Sequence, residues 1–456
     1  MTYPEALTYF DSLMNYERAD DYDYKKSFRL DRMKALAALL GDPQKETKAI
    51  HIAGTKGKGS TAAFIHSILK AHGFKAGLYT SPHLVSFRER IRVNDELISE
   101  GDVAGILGVI KAAVDKMGDD IPSFFEVYTM LAYIYFKEKK ADIAVYETGL
   151  GGRLDATNII EPLVLAITPI SYEHTQKLGS TLREIAFEKA GIIKDGSLCV
   201  SGPQEPEALK VIDEVCREKR AKLFLAGRDL TFRERETDHE KQRFDVSGLF
   251  NEYPGLESSL LGPHQVVNAA VAIGVIEALK LRGISVAGEA VIDGVRTARW
   301  EGRFEIAGRS PFIVLDGAQN RASAHALARA VKKIFTYGEL ILVLGVCKDK
   351  DIRGILEELL PLSGLVILTK SKVTERALDP SVMKGIMDSE RNMRAPGRRD
   401  ILLTGNVRDA LREARLRAKK ESLILVTGSL FVVGEARELL IAQPSAPAEG
   451  KHYAPR

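Results

Sequence analysis

The sequence predicts an α/β protein with two domains, each built around a mainly parallel sheet. Short apolar runs rich in β-branched residues alternate with helical patterns along most of the chain, which is typical of parallel strands connected by helices. The chain has 456 residues, more than one hydrophobic core normally serves. We place the domain boundary after residue 297, where a helical pattern gives way to new strands. The predicted domains are residues 1–297 and 298–442, followed by a Pro- and Ala-rich tail, 443–456, predicted to be disordered.

The individual elements follow from the periodicity of the apolar residues. The candidate strands are Ala49–Ile52, Ile143–Tyr146, Leu163–Thr168, Phe312–Leu315, Leu340–Gly345, Leu365–Thr369 and Leu423–Thr427. The candidate helices are Ala62–Ala71, Ser180–Ile193, His264–Leu281, Ala322–Ile334 and Val407–Lys419. The region Leu230–Leu256 alternates in short charged runs, which predicts an antiparallel hairpin insertion.

Composition narrows the class of protein. The formal net charge is only +3, with no long block of one sign, so binding to nucleic acid through a general basic field is not expected. The three cysteines, Cys199, Cys216 and Cys347, are too few and too scattered for a disulfide framework or a thiolate zinc site. The N-terminus does not resemble a signal sequence and no apolar run reaches about 18 residues, so we expect a cytoplasmic protein without membrane spans.

The most informative segment is the run Ala53–Thr61, which reads Ala-Gly-Thr-Lys-Gly-Lys-Gly-Ser-Thr between a strand and a helix. Glycines let backbone N–H groups converge on phosphate oxygens, the helix N-terminus adds about half a positive charge, and Lys58 adds a full one. The loop departs from the strict GxxxxGK[ST] pattern, because Gly59 stands where the Mg²⁺-binding hydroxyl belongs. Either Ser60 takes that role or another segment supplies the ligand. The run predicts a nucleoside triphosphate site; the alternative is an ordinary glycine-rich turn.

Further candidates follow the ends of other predicted strands, the edge at which α/β proteins bind ligands. Ser81, before Pro82, could replace the missing hydroxyl on Mg²⁺. Glu147 is an acidic residue at a strand tip, of the type that hard cations bind, and His174 follows a third strand. The alternatives are a common Ser-Pro loop start, a solvated carboxylate and a solvated histidine. Lys189 lies among apolar helical neighbours, where a lysine stem that covers the core would explain it equally well.

In the second half, charged residues again stand at turns and strand ends. Arg303 could neutralise phosphate charge as a reaction proceeds. Asp316 could bind a ribose hydroxyl or a substrate ammonium group. Each of these signals is weak by itself.

Taken together, the motifs resemble those of the folylpolyglutamate synthase/dihydrofolate synthase family of the Mur ligase superfamily. The resemblance covers most of the chain and depends on the order of many motifs. They are GTKGKGST (54–61), YTSPHL (79–84), FRERIRVN (87–94), SFFE (123–126), ETGLGGRLDATN (147–158), EHTQKLGST (173–181), IAFEKAGIIK (185–194), GPHQVVNAA (262–270), EGRFE (301–305), LDGAQN (315–320), GVCKDKD (345–351) and TGSLFVVGE (427–435).

The resemblance implies an N-terminal P-loop ATP-binding domain, a smaller Rossmann-like C-terminal domain and a role for each matching residue. The implied ATP-binding residues are Gly54, Thr55, Gly57, Lys58, Gly59, Ser60, Thr61, Asn268, Arg303 and Asp316, and the implied Mg²⁺ ligands are Ser81, Glu147 and His174. Lys58, Glu147, His174 and Lys189 are the implied catalytic residues, with Lys189 at the position of a lysine that can be carbamylated. The pterin side is assigned to Ser81, Pro82, His83 and Phe124, beside Phe125, and glutamate binding to Asp316, Gln319 and Ser429.

The implied reaction is the ATP-dependent addition of L-glutamate to dihydropteroate, to reduced folates or to both. The γ-phosphoryl group of ATP activates the acceptor carboxylate as an acyl phosphate, which the glutamate amine attacks. The implied partners are therefore small molecules and Mg²⁺, and the resemblance also allows for a K⁺ ion. The sequence does not fix the oligomeric state, and we expect a monomer.

Three departures from the family pattern are visible. Lys56 replaces a usual Asn, and Glu173 replaces the Asp of a usual Asp-His pair. Gln319 replaces a usual His, and an amide cannot titrate near neutrality, so an acid, base or charge role of that histidine does not carry over.

Two other functions remain as alternatives. A peptidoglycan-precursor amino-acid ligase normally has an additional N-terminal domain and reads GKT in the loop, whereas only 52 residues precede Ala53 here. A non-ligating regulatory nucleotidase would explain Gln319. The presence of Ser81, Glu147, His174 and Lys189 argues against that reading, and turnover without glutamate would support it.

Overall fold

A computed structural model of the chain describes residues 1–17, 22–372, 375–389 and 400–441. The predicted tail, 443–456, lies outside these residues. The described part is a mixed α/β protein with parallel-rich sheets, as the sequence predicts, and the chain divides into two compact units. The first is Met1–Trp300 with Lys333–Phe335, and the second is Glu301–Lys332 with Thr336–Arg456.

The first unit contains a large sheet, a small sheet and most of the helices. Its strands are β1 (Lys48–Ala53), β2 (Ala76–Tyr79), β3 (Ile91–Val93), β4 (Glu96–Leu97), β5 (Ile143–Glu147), β6 (Pro162–Ile167), β7 (Leu198–Ser201), β8 (Lys222–Leu225), β9 (Thr231–Thr237), β10 (Gln242–Ser247) and β11 (Glu252–Ser258). Its α-helices are α1 (Tyr3–Ser12), α2 (Tyr24–Ser27), α3 (Leu30–Leu39), α4 (Lys58–Ala71), α5 (Glu100–Val114), α6 (Phe124–Glu138), α7 (Thr175–Leu178), α8 (Leu182–Ala190), α9 (Pro206–Glu218), α10 (Pro263–Ala278) and α11 (Gly288–Thr297). Short 3-10 turns occupy Pro43–Lys45, Phe87–Arg90, Ala156–Ile159 and Leu279–Arg282.

The large sheet has the strand order β4-β3-β2-β5-β1-β6-β7-β8. Its strands run parallel from β2 to β8, and β3 and β4 are antiparallel additions at one edge. In the register of the central strands, Ile52 lies opposite Glu147 and Ala53 lies opposite Ile167. The segments that leave β1, β5 and β6 therefore start side by side at one edge of the sheet.

The predicted antiparallel insertion is a separate sheet of three strands, in the order β11-β10-β9. It packs with α4, α10 and α11 on one face of the large sheet, in a core that includes Phe64, Val145 and Phe244. By length and composition the segment Pro263–Arg282 could cross a membrane, but 78% of its apolar window is buried. We therefore read it as a core helix.

The second unit is a six-stranded sheet with helices. Its strands are β12 (Glu305–Arg309), β13 (Phe312–Leu315), β14 (Leu340–Leu344), β15 (Leu365–Leu368), β16 (Asp400–Leu403) and β17 (Leu423–Thr427). The helices in this part of the chain are α12 (Arg321–Ile334), α13 (Ile352–Leu359), α14 (Pro380–Ser389), α15 (Val407–Arg417) and α16 (Leu430–Ile441), with a 3-10 turn at Leu360–Leu362.

Strand β17, the last in the chain, is inserted between β13 and β14 in the order β12-β13-β17-β14-β15-β16. All of these strands are parallel except β12. The strand order therefore reverses near β17, and in open α/β sheets the carboxyl ends at such a switch point are the usual ligand-binding edge.

Candidate active site

The phosphate-loop candidate connects β1 to α4 and is shaped by close contacts that only glycine allows. Gly57 caps the N-terminus of α4 with φ 87°, in the left-handed region, and a Cβ there would lie 2.1 Å from Oδ1 of Asn268. A Cβ on Gly54 would lie 1.9 Å from Oγ1 of Thr168. The loop backbone is therefore pressed against neighbouring segments on two sides.

A hydrogen-bonded chain of buried side chains connects this loop to α10. Asn268 donates from Nδ2 to Oε1 of Gln265 over 2.9 Å, and Gln265 donates from Nε2 to Oγ of Ser60 over 3.3 Å. All three residues are buried. Gln265 was not predicted as a site residue, although it lies within the motif 262–270 that carried the family resemblance.

Lys58, Glu147 and Ser81 come together at the carboxyl edge of the large sheet. Nζ of Lys58 is 3.9 Å from Oε1 of Glu147, and the backbone N–H of Ser81 donates to Oε2 of Glu147 over 3.3 Å. Glu147 is only 5% exposed. Among the described residues, the buried Oγ1 atoms of Thr61 and Thr148 have no hydrogen-bond partner. The buried carboxylate of Glu147, close to the ammonium of Lys58, is a donor that fits a hard cation.

The described residues offer no ready-made cluster of metal ligands. Within the described ranges, no three His, Cys, Asp or Glu side chains are grouped closely enough to hold a metal ion.

His174 and its neighbour Glu173 follow β6. His174 is exposed, with φ 52°, at the start of α7. Glu173 accepts a hydrogen bond from Nζ of Lys56 in the phosphate loop over 2.8 Å. Burial opposes the ionisation of Glu173, but the positive charges of Lys56, His174 and Lys58 outweigh it and lower the pKa of Glu173 to about 2. Glu173 is therefore an anion at neutral pH.

Backbone hydrogen bonds also connect the loop between β1 and α4 to the segment after β6. The N–H groups of Thr55 and Lys56 both donate to the carbonyl oxygen of Pro169 over 3.2 Å. The hydroxyl of Thr55 donates to the carbonyl of Ser171 and accepts from its N–H, each over 3.2 Å. The phosphate loop and the segment that carries His174 thus form one hydrogen-bonded element.

Lys189 projects from α8 into the same region. It is 4% exposed, and its Nζ donates to the carbonyl oxygen of Gly54 over 2.7 Å. Burial, reinforced by the nearby charge of Lys58, lowers the pKa of Lys189 to about 7. A substantial share of this lysine is therefore a neutral amine near pH 7, which is the nucleophilic form.

The residues assigned to the pterin side differ in accessibility. His83 is half-buried, and its Nδ1 accepts from Nε of Arg90 over 2.9 Å. Arg90 in turn donates to both carboxylate oxygens of Glu17, over 2.7 and 2.6 Å. Phe124 is only 1% exposed and packs against Phe10 with a ring distance of 5.4 Å. Phe124 is therefore part of the aromatic core of this region, and its contact with a pterin stays a prediction.

Asp155 organises the glycine-rich loop after β5. It is fully buried, and its Oδ2 accepts from the N–H groups of Gly149 and Leu150 over 2.9 and 3.0 Å. Its Oδ1 accepts from the backbone N–H and the hydroxyl of Thr157. Burial raises the pKa of Asp155, while these hydrogen bonds oppose the rise.

In the second unit, Asp316 follows β13 and Ser429 follows β17 at the switch-point edge. The Asp316 carboxylate accepts from the N–H groups of Phe304 and Ala318, each over 2.9 Å. Burial raises the pKa of Asp316, and the charge of Arg303 opposes the rise. Ser429 is buried and caps α16 by accepting from the N–H of Phe431 over 3.2 Å. Gln319, half-buried, donates its backbone N–H to Oγ of Ser323.

Comparison with known proteins adds independent observations. The family model for the Mur ligase middle domain matches residues 52–276, and that for the Mur ligase glutamate ligase domain matches residues 302–430. A dihydrofolate synthase/folylpolyglutamate synthase of Bacillus subtilis is 35% identical over 418 residues, which cover 90% of this chain and 94% of the relative.

Two solved structures match the fold of this chain over nearly its whole length. The Mycobacterium tuberculosis folylpolyglutamate synthase complexed with ADP matches with a TM-score of 0.87 and 32% identity, over 97% of this chain and 99% of that one. Escherichia coli FolC in complex with DHPP and ADP matches with a TM-score of 0.85 and 30% identity, over 97% and 98% of the two chains.

Proposed function

The chain belongs to the folylpolyglutamate synthase/dihydrofolate synthase family of Mur ligases, and we propose that it adds L-glutamate both to dihydropteroate and to reduced folates. It is an ATP-dependent ligase that forms an amide from a carboxylate and an amine. The observation that carries the proposal is the grouping of Lys58, Glu147 and Ser81 around the N-terminus of α4. Support for both acceptors comes from the relatives, whose names join the two activities.

The first chemical step is the transfer of the γ-phosphoryl group of ATP to the acceptor carboxylate, which gives an acyl phosphate and ADP. The backbone N–H groups at the start of α4 and the ammonium of Lys58 would bind the phosphate oxygens and offset their charge. In the second step the neutral amine of L-glutamate attacks the acyl carbon. The amide C–N bond forms, phosphate leaves with the electron pair of the C–O bond, and the amine loses a proton.

We assign Mg²⁺ to Glu147, Ser81 and His174. When bound, Mg²⁺ supplies charge neutralisation for the phosphoryl group. Glu147 would contribute its buried carboxylate. His174 would contribute an imidazole from the segment that is hydrogen-bonded to the phosphate loop.

We further propose that Lys189 is carbamylated. Its low pKa provides the neutral amine, which attacks CO₂ to form an N–C bond and releases a proton, so that a cation becomes an anion beside the metal candidates. Isotope-labelled bicarbonate should give a carbamate NMR signal in the wild-type protein that Lys189→Arg lacks. Equal signals in the two proteins would refute the assignment.

We assign glutamate binding to Asp316, Gln319 and Ser429, and further nucleotide contacts to Arg303 and Asp316. The switch-point edge of the second unit supports this assignment, because Asp316 offers a carboxylate for an ammonium group. Ser429, at the N-terminus of α16, offers a hydroxyl where a carboxylate is favoured. We also propose that the enzyme acts as a cytoplasmic monomer; its three cysteines are buried and free.

The decisive experiment measures phosphate release from MgATP with L-glutamate and either dihydropteroate or tetrahydrofolate, with mass detection of the product. We expect release that requires both glutamate and an acceptor, and addition of one glutamate to each acceptor. Lys58→Ala and Glu147→Ala should each reduce ligation by at least about 100-fold with an unchanged circular dichroism spectrum. Glutamate-independent release would instead support a nucleotidase, and near-normal turnover in both variants would refute the assigned site.

A further inference from the structure

Trp300, the only tryptophan of the chain, is the last residue of the first unit before the second begins at Glu301. The helix that precedes it, α11, packs closely along α4. A Cβ on Gly294 would lie 2.4 Å from Cα of Ile68, and the hydroxyls of Ser67 and Thr297 are 3.2 Å apart. This packing brings the residues after α11 to the N-terminal end of α4.

There the indole of Trp300 lies against Gly59. A Cβ on Gly59 would be 2.8 Å from Cζ2 of the indole and 3.0 Å from both Cε2 and Nε1. The edge of the ring that carries the N–H therefore faces Gly59. The guanidinium carbon of Arg92 lies 5.9 Å from the ring centroid, in cation–π range.

Gly59 is the second residue of α4, so its N–H belongs to the first turn, where backbone N–H groups have no partner within the helix. Side chains of a helix tilt toward its N-terminus, and the space beside Gly59 therefore borders the phosphate candidate. Because Trp300 fills this space, a hydroxyl-bearing side chain does not fit at position 59. This accounts physically for the departure of the loop from the strict P-loop pattern.

Among the described residues, no hydrogen bond from the indole N–H of Trp300 is present. An indole N–H is only a donor, and a half-buried tryptophan usually has an acceptor for it. The acceptor must then be water or a ligand. At the N-terminus of α4, the expected ligand is rich in oxygen and carries negative charge.

We propose that Trp300 is a nucleotide-binding residue whose indole forms one wall of the phosphate site beside Gly59 and whose Nε1–H donates to an oxygen of the bound nucleotide. This inference rests on the proposed function, because it requires ATP or ADP at the N-terminus of α4. It assigns two separate contributions to one side chain, the wall and the hydrogen bond. Two substitutions separate them.

Trp300→Phe keeps an aromatic wall and loses the N–H, whereas Trp300→Ala loses both. Calorimetric titration with ADP should show about tenfold weaker binding for Trp300→Phe and a larger loss for Trp300→Ala. The thermal midpoint of Trp300→Phe should stay within a few degrees of the wild type. Phe250→Ala, at an exposed aromatic residue of the first unit, is the control and should bind ADP normally.

Two further measurements depend on how close the indole of Trp300 lies to Gly59 and to the bound nucleotide. Because Trp300 is the sole indole, its fluorescence in the wild-type protein should change when ADP is added. Gly59→Ala should weaken ADP binding in the wild-type background and have a smaller effect in the Trp300→Ala background, since the clash is then gone.

The proposal is overturned if Trp300→Phe binds ADP within about twofold of the wild type and ADP leaves the indole emission unchanged. Lys58→Ala distinguishes that failure from failure of the proposed function. Weak ADP binding in Lys58→Ala, together with normal binding in Trp300→Phe and unchanged indole emission, would keep the nucleotide site and refute Trp300 alone. A wild-type protein that does not bind ADP would refute the proposed function itself.

Discussion

Lys56 and Glu173, which both differ from the family pattern, form an ion pair across 117 positions of sequence. Their nitrogen and oxygen atoms are 2.8 Å apart, and the two side chains are 31% and 16% exposed. The pair joins the phosphate loop to the segment that carries His174. Two changes that look like independent departures in the sequence are therefore complementary in the structure.

This complementarity predicts rescue between the two positions. Lys56→Asn should lower the free energy of unfolding by roughly 1–2 kcal/mol, because it leaves the Glu173 carboxylate partly buried without this partner, and it should lower kcat/KM about tenfold. Adding Glu173→Asp, which restores the usual family pair, should recover part of both losses. Urea unfolding and steady-state kinetics over a double-mutant cycle would measure the coupling.

Lys70→Asn is the matched control for the cycle. Nζ of Lys70 lies 2.7 Å from the carboxylate of Asp95, close to the 2.8 Å of the Lys56–Glu173 pair. Asp95, however, is 81% exposed. Loss of that surface pair should change stability by less than about 0.5 kcal/mol. Strictly additive effects of Lys56→Asn and Glu173→Asp would contradict the pairing.

Acid should remove the contribution that the ionised carboxylate of Glu173 makes to the free energy of unfolding. Its pKa is about 2 in the folded protein, below the ordinary value of 4.5, so its stabilising effect is complete above pH 4.5 and is lost as the pH falls toward 2. This predicts that the free energy of unfolding of the wild type, relative to that of Glu173→Gln, falls by on the order of 3 kcal/mol as the pH drops from above 4.5 to below 2. Unfolding curves of both proteins across this range would test it; a constant difference would show that the charge of Glu173 is not responsible.

At the scale of elements, the pattern of apolar residues predicted the ends of two strands more accurately than the first residue of α4. Phe312–Leu315 and Leu423–Thr427 are strands with the predicted ends. Helix α4 begins at Lys58, four residues before the predicted start at Ala62. Its first turn, Lys-Gly-Ser-Thr, contains no apolar residue, so hydrophobic periodicity cannot detect it. The missed turn is the one that carries the phosphate-binding candidates.

The loop before α4 should tolerate no side chain at Gly57. Gly57→Ala combines a positive φ with a Cβ 2.1 Å from Asn268, so we expect a loss of about 2–4 kcal/mol in stability and weaker ADP binding. Gly41→Ala is the control, because Gly41 has φ 74° and nothing within 4 Å of the Cβ position. It should cost about 1 kcal/mol and leave ADP affinity unchanged. Equal losses at both positions would mean that backbone strain alone accounts for the effect.

At the scale of the whole molecule, sequence predicts the location of those candidate site residues that sheet topology brings together. Glu147 and Ser81 were proposed near Lys58 because carboxyl ends of parallel strands share an edge, and the structure places them there. Gln265 was missed because its contact with Ser60 spans 205 positions and leaves no local pattern. The burial of Phe124 was not predictable either, because sequence does not distinguish a buried aromatic side chain from one that lines a pocket.

The three cysteines give a test of the folded chain as a whole. Cys199, Cys216 and Cys347 are free and buried, and burial raises the pKa of Cys347, which disfavours its reactive thiolate. A thiol reagent should therefore label almost no cysteine in the native enzyme and all three in guanidinium. A reducing agent should not shift the thermal midpoint. Rapid labelling of one native thiol, or a shift on reduction, would contradict this expectation.

Helix α10 has two roles at once, because it is a central core helix and it carries Gln265 and Asn268 against the phosphate loop. Substitutions in this helix are therefore limited both by core packing and by the hydrogen bonds of Gln265 and Asn268. A substitution that loosens the packing of α10 also moves the amide groups that shape the loop. Conditional alleles that fail in warm cells should therefore concentrate in α10 and lose affinity for ATP before they lose their fold. Under the proposed function, one substitution in α10 would then change both thermal tolerance and nucleotide affinity, so that the two properties would be inherited together.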